Sequence, residues 1–405
     1  MPMSTLSTMV SESGALDLVP RMTGQGYAPA DVDRRREWLE AKTGCRLLHV
    51  GSASVASEDM RGNIENPIGT AQIPLGVAGP LLVNGTHARG RFYVPLATTE
   101  GALVRSYERG MVTLSRAGGV MTRIHIDENR ISPVFFFDDV GDAYDFVRQV
   151  HQAFETIRSE AESTTSHGKL LRLDCHPVGR QVMVDFRYFT GDAQGMNMIV
   201  KATERACRWL MRHSRARRFY LFSGLSSEKR ASGVLFAGGK GKKVTAGALL
   251  PKGLVRAYLH TTPEQLVDLW HHTMLGHVQA NAMGYNAHYA NGLTALFLAC
   301  GQDVANVVNS STGITNFETT AAGDFYASVT LPALTVATVG GGTGLGTGLE
   351  CLSLLGCAGG GRAAKFAEIV AATLLAGEIS MGAAIASGEF VEAHETYGRN
   401  RPPPE

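Results

Sequence analysis

Charge of one sign is what this sequence most plainly lacks. Thirty-eight lysines and arginines stand against 37 aspartates and glutamates, a formal net charge of +1. That balance removes the electrostatic case for nucleic acid or a membrane surface as a partner. Cysteine is sparse as well. The six (Cys45, Cys175, Cys207, Cys300, Cys351, Cys357) include no CxxC and no zinc-like spacing. They read as free thiols, buried where the context is apolar, and no metal site is expected. No basic segment followed by an apolar run opens the chain, which argues against a secretory signal. Only 369–388 approaches the length of a membrane span. Glu378 sits at its middle, flanked by Thr373 and Ser380, which favours a buried or amphipathic helix. A cytoplasmic protein is expected. Several enzymatic signatures are missing too. There is no G-x-x-x-x-G-K-[ST], the run GGGTGLGTG (340–348) fails the G-x-G-x-x-G register at every offset, and no serine or cysteine has nucleophile-elbow context.

What is abundant is glycine, 47 residues in all, with clusters at 340–348 and 359–361 where tight turns or a close backbone approach are expected. At 405 residues the chain can hold two or three domains. A weakly patterned leader precedes a charged helix starting near Pro29. A strand at 91–95 leads to a helix over 103–117, with Thr98 or Thr99 as its cap. The stretch 133–222 differs in character. It reads as strand (134–137), long helix (140–162), two strands (170–175 and 181–188), helix (193–213) and strand (218–222). That βαββαβ order is the ferredoxin-like arrangement. The fold class is therefore α+β: an N-terminal segment (1–63), a large mixed domain (64–132 and 223–405) and an inserted small domain (133–222). A loop over 223–232 and a basic patch at 240–243 follow the insert.

Polar groups flank the apolar run 293–300. His288 and Asn291 precede it, and Gln302 and Asp303 follow. In one straight helix Asn291 and Asp303 would lie roughly 18 Å apart, so a shared site needs a break at Gly301 or Gly292. Glu100, Lys229, Asp303 and His394 stand at element ends in apolar context. A lysine with two carboxylates can polarise a carbonyl and deliver a proton, and a histidine can protonate a leaving group. Taken singly, each also has an ordinary reading as helix-start acid, solvated loop cation, cap or tail residue. A second phosphate candidate is GDAQGMN (191–197), whose glycine-bearing helix start offers free N–H groups.

Together these segments resemble the 3-hydroxy-3-methylglutaryl-coenzyme A (HMG-CoA) reductase family, soluble catalytic portion. The resemblance rests on ENPIG (65–69), IPLGVAGPL (73–81), PLATTEG (95–101), GDAQGMNM (191–198), Ser223-Gly224, GYNAH and AN (284–291), ACGQD (299–303) and TVGGGT (338–343). The form of PLATTEG is closer to the eukaryotic-type class. The resemblance implies reduction of HMG-CoA to mevalonate and free coenzyme A by two hydride transfers from NADPH, with NADH possible. It also implies a homodimer with active sites at the subunit interface. Lys229 would stabilise each oxyanion, Asp303 would hold Lys229, Glu100 would supply a proton, and His394 would protonate the departing thiolate. Arg130, Ser223, Glu228, Arg230, His272, His288 and Asn291 would bind the acyl-CoA. Asp192, Gln194, Gly195, Met196, Asn197, Thr165, Ser166, Lys169, Gly341 and Gly342 would bind the cofactor. The sequence departs from the family in three places. Glu228-Lys229-Arg230 replaces Asp-Lys-Lys, His272 stands where a carboxylate-binding lysine is expected, and Thr165-Ser166 replaces a Ser-Arg pair at the cofactor's 2′-phosphate. A reductase of a related acyl thioester and a non-catalytic acyl-CoA-binding paralogue are the alternatives.

Overall fold

The computed structural model describes residues 18–22 and 26–397, without the side chains at 393, 394 and 397. It divides into two compact units between Gln72 and Ile73. In the first, Pro29–Thr43 forms a helix (α1), begun by a proline whose φ is preset and ended by Gly44 in the left-handed region (φ 70). Its charged sequence buries only Val32 and Arg35, and Arg35 Nη1 donates to Pro67 O at 3.0 Å. The short helix Leu48–Gly51 (α2) lies against ENPIG. A Cβ on Gly69 would stand 1.8 Å from Val50 O, and φ there is +143, so only glycine fits. ENPIG thus lies on the N-terminal side of the division.

The second unit opens with an antiparallel pair, β1 (Leu75–Asn84) and β2 (Arg89–Ala97). Helix α3 (Leu103–Arg116) follows without the expected threonine cap. Ala102 occupies the cap position in the left-handed region (φ 70), and Thr98 Oγ1 instead accepts from Glu100 N at 3.0 Å. Next come β3 (Met121–Ile131), β4 (Val134–Phe136), α4 (Val140–Gln152), α5 (Phe154–Glu162), β5 (Lys169–Val178), β6 (Gln181–Phe189), α6 (Met196–His213) and β7 (Arg218–Tyr220). The single helix expected over 140–162 is two, interrupted at Ala153. The bend lets α4 pack on β5 and β6 while α5 reaches β5 and α6. The remaining elements are β8 (Gly241–Leu250), α7 (Lys252–Leu259), α8 (Pro263–Gln279), α9 (Tyr289–Ala299), α10 (Val307–Ser310), β9 (Ile314–Thr319), β10 (Phe325–Leu334), α11 (Gly346–Leu354), α12 (Ala363–Ser387) and α13 (Phe390–Tyr397).

One sheet runs β7-β4-β6-β3-β8-β10-β9, with β5 also paired to β6. β3 and β4 pair with successive parts of β6, on either side of Pro133. Within 133–222 the strand order is therefore β7-β4-β6-β5, all antiparallel. This segment has its own apolar core, including Phe135, Phe146, Phe186, Ile199 and Cys207, yet its sheet continues into β3 and β8.

Helix α12 fills the other core. It is long and apolar enough to cross a membrane, but most of its surface is buried inside the protein. Its two acids are satisfied internally. Glu368 is fully buried and accepts the N–H groups of Thr86 (3.1 Å), His87 (2.8 Å) and Ala88 (2.6 Å) at the β1–β2 turn. The basic patch expected at 240–243 is not a surface feature, since Lys240 and Lys242 are both buried.

Candidate active site

Backbone strain sets the loop between β7 and β8. Ser227 and Lys229 both take left-handed φ values (53 and 54), a conformation that non-glycine residues hold only where surrounding contacts enforce it. Two turns supply those contacts, Ser227 N to Gly224 O (3.1 Å) and Arg230 N to Ser227 O (3.3 Å). Lys229 Nζ then lies 2.8 Å from Asp303 Oδ2. Asp303 reaches it because α9 ends after Ala299 and Gly301 turns the chain at φ 62. The helix runs through Gly292 unbroken, so of the two expected break points only Gly301 is used. Gln302 locks the turn, donating to Cys300 O (2.9 Å) and Ala337 O (3.0 Å) and accepting from Ala337 N (2.8 Å). Asp303 is both cap and ion-pair partner, because its Oδ1 accepts from Ala305 N at 3.2 Å.

At the other end of α9, Asn291 Nδ2 donates to Glu100 at 3.2 and 3.3 Å. His288 Nδ1 stands 3.0 Å from Glu378 Oε1. Glu378 also accepts from Ala287 N (2.8 Å), His288 N (2.9 Å) and Thr315 Oγ1 (2.7 Å). Burial pushes its carboxyl up, but these donors and the His288 charge outweigh it and hold the group below the usual range. His288 Nε2 is buried without a partner among the described residues, and the Tyr107 hydroxyl lies against the Gly292 backbone. A cavity of about 1250 Å³ is lined by Glu100, Asn291, His288, Arg109, Tyr258 and Glu389, with others. Ala231 is its contact with the 223–232 loop. No hydrogen bond or ion pair among the described residues joins Glu100–Asn291 to Lys229–Asp303.

The other expected substrate groups lie close to that loop, with one exception. Arg130 is buried, pairs with Asp185 (3.1 Å) and donates from Nε to Ser226 O (3.2 Å), and its Nη2 has no partner among the described residues. Burial pulls its guanidinium below the usual range, against the pull of Asp185. Ser223 Oγ donates to Ser132 O (2.7 Å), and Arg230 Nη1 to Glu228 O (3.2 Å). His272 is the exception: its side chain is 72% exposed on α8, near Asp268 at 3.4 Å, and it does not line the cavity. A position four residues before Gly276 on this helix faces solvent in the single chain. The side chain of His394, on α13, lies outside the described residues.

Around the expected cofactor positions, Gly195 caps α6 in the left-handed region (φ 77) with no side chain engaging the helix start. Thr165 Oγ1 accepts from His167 N (3.1 Å) and Gly168 N (3.2 Å), and Ser166 Oγ is 2.9 Å from His167 Nδ1. A Cβ on Gly168 would meet Met198 of α6 at 3.1 Å, so this turn borders the same helix start. Lys169 is engaged by Glu162 at 3.0 Å. Asp192, expected at the cofactor, also makes a structural contact. Its carboxylate accepts from Gly361 N (2.7 Å), Arg362 N (2.9 Å) and Ala363 N (2.9 Å), capping α12. Gly341 and Gly342 begin a turn packed on protein backbone, for a Cβ on Gly301 would meet Gly342 O at 2.3 Å. Glu378, Asn129 and Lys240 were not among the expected site residues. The signal for Glu378 was present, a carboxylate in the middle of an apolar helix.

A lysine clamped by a carboxylate, with an amide-bound glutamate on a large cavity, suits the polarisation of a carbonyl and the delivery of a proton. With a bare helix start nearby for an anion, the arrangement is that of an oxidoreductase acting on a carbonyl. The family model of hydroxymethylglutaryl-coenzyme A reductase matches residues 31–399. The 3-hydroxy-3-methylglutaryl-coenzyme A reductase of Methanothermobacter thermautotrophicus is 46% identical over 378 residues, 92% of this chain and 95% of that one. The enzyme of Methanocaldococcus jannaschii is 41% identical over 401 residues, covering 95% and 99%. A class II reductase structure from Streptococcus pneumoniae, bound to NADPH in open conformations, aligns with a TM-score of 0.66 at 18% identity, over 88% of this chain and 97% of that one. The chain belongs to the HMG-CoA reductase family, whose reaction is the reduction of HMG-CoA to mevalonate.

Proposed function

We propose that Lys229, Asp303, Glu100 and His394 carry this reduction, with NADPH seated between the α6 start and the turn at Thr165. The observation that carries the reading is the 2.8 Å contact of Lys229 with Asp303, made by two loops that local sequence does not connect. The α6 start suits a pyrophosphate, since its cap Gly195 makes no side-chain hydrogen bond and, among the described residues, none is made to the first N–H groups. When bound, NADPH supplies one hydride, so the two transfers consume two molecules of it in succession. Lys229 stabilises the oxyanion as the thioester carbonyl becomes a thiohemiacetal, and again as the released aldehyde becomes the alcohol. Glu100 delivers a proton to oxygen, with Asn291 fixing its carboxyl. Asp303 keeps Lys229 placed. His394 protonates the coenzyme A thiolate when the C–S bond breaks. Each hydride transfer puts one hydride on carbon and one proton on oxygen; when the thiohemiacetal collapses, its hydroxyl gives up a proton as the carbonyl re-forms and the departing thiolate takes one.

Arg130, Ser223, Arg230, His288 and the neighbouring Glu228 bind the acyl-CoA. The cofactor is NADPH in preference to NADH, by a modest margin, because the nearby cations Lys169 and Arg158 are both already paired with Glu162. The working form is a cytoplasmic dimer. A second copy would bring His272 to a site, and the exposed Leu275 (68%) and Val278 (65%) beside it on α8 give that face apolar area to cover. The test is oxidation of NADPH and of NADH followed by absorbance with HMG-CoA, alongside the mass of the particle in solution. No oxidation of either cofactor would overturn the assignment of roles, and a fully active monomer would overturn the dimer.

A further inference from the structure

Lys240 is the most deeply buried cation near this site, with no solvent exposure, and none of the proposed chemistry uses it. The chain is built to hold it there. Gly238, Gly239 and Gly241 all take left-handed φ (85, 86 and 87). A Cβ on Gly239 would meet Arg187 Nη1 at 1.7 Å, and one on Gly241 would meet Leu334 O at 2.3 Å. A buried charge without partners is strongly disfavoured, and Lys240 has several. Its ammonium contacts the Glu228 carboxylate, donates to Asn129 Oδ1 (2.8 Å) and Arg130 O (3.4 Å), and lies 3.3 Å from Met196 Sδ. Burial pulls the ammonium below the usual lysine range, opposed by Glu228.

These contacts close a ring. Asn129 Nδ2 donates to Gln194 O (2.8 Å), and Gln194 Nε2 donates to Glu228 Oε1 (3.3 Å). The ring therefore passes from the loop that opens α6 through Glu228, Lys240 and Asn129 and back to that loop. Glu228 directly precedes Lys229. A ligand that orders Gly195 to Asn197 orders Gln194, and through Gln194 both anchors of Glu228.

We propose that Lys240 is a positioning residue that couples dinucleotide binding at the α6 start to the placement of Lys229 and the acyl-CoA groups, acting through Glu228. The inference rests on the roles assigned above. Such coupling is reciprocal and spans roughly 5–150-fold in affinity. The measurement is the dissociation constant of HMG-CoA, by titration calorimetry, with and without saturating NADP⁺. In the wild-type protein the two constants should differ by at least about fivefold. In Lys240→Met the ratio should fall to near one, and Lys240→Arg should restore most of it, a rescue that loss of packing would not show. Should Lys240→Met fail to fold, Gln194→Leu opens the ring at another corner without stranding a charge, and it should abolish the ratio likewise. A wild-type ratio near one, or a ratio retained in Lys240→Met or in Gln194→Leu, overturns the coupling. The binding readout needs no turnover, so it separates the two readings. An active Lys229→Ala with a ratio that collapses in Lys240→Met refutes the role of Lys229 and leaves the coupling standing. An inactive Lys229→Ala with an unchanged ratio in Lys240→Met refutes the coupling alone.

Discussion

Replacing Lys229 with alanine separates catalysis from folding more cleanly than any other change in this protein. The side chains of Lys229 and Asp303 are 44% and 38% exposed, and a pair so open to solvent contributes about 0–1 kcal/mol. Asp303 keeps its bond to Ala305 N after the change. Alanine inherits the left-handed φ of 54 without new strain, because lysine already bore it. The melting temperature should therefore move by no more than about 3 °C. Turnover should fall by about 10²–10³, some 3–4 kcal/mol of barrier, as when an oxyanion-hole donor is removed. Both hydride transfers should suffer, so the assay is NADPH oxidation with HMG-CoA and separately with the free aldehyde. Lys229→Gly provides a control, equally inactive but relieved of about 1 kcal/mol of backbone strain. If Lys229→Ala retains even a tenth of wild-type activity, Lys229 is not the group that stabilises the oxyanion. If it melts far below the wild type, the loop is holding up the fold and the loss of activity says nothing about chemistry.

His394→Gln should depress thioester reduction much more than reduction of the free aldehyde, since only the first step expels a thiolate; equal losses on both substrates would remove it from that role. Asp192→Asn weakens the cap on α12 and should cost about 1 kcal/mol at neutral pH. Burial raises the Asp192 carboxyl, but the N–H groups of Ala363, Gly361 and Arg362 outweigh this and hold it below the usual range. With the folded value depressed, the stabilisation is present above the unfolded pKa of about 3.9 and is lost as pH falls through the folded one. The gap in melting temperature between wild type and Asp192→Asn should thus close in acid, and a gap independent of pH would count against a charge-based cap. Gly292→Ala would place a methyl 2.2 Å from the Tyr107 hydroxyl and 2.7 Å from Leu374 Cδ2. Overpacking of that kind costs about 1–3 kcal/mol, and an unchanged melting temperature would mean that the α9–α3 contact is looser than it is drawn.

Sequence by itself determined what depends on neighbours along the chain. The proline and glycine bounding α1 and the burial of an apolar stretch interrupted by Glu378 follow from local sterics and hydrophobic pattern, which act over a few residues, whereas the choice between Gly292 and Gly301 as the break after α9 was made only by the fold. The matched motifs carried the family, because their order and spacing are specific even where each alone has an ordinary reading. Tertiary structure decided who touches whom. Glycines announced a close approach at 340–348 but not that Gly342 would meet Gly301, and an acid at the start of GDAQG did not announce that Asp192 would cap a helix about 170 residues away. Lysines at 240 and 242 read as a surface patch until the sheet closed over them. A carboxylate or an ammonium finds its partner wherever the folded chain places one. Such bonds depend on distance in space, for which position along the sequence holds no local record.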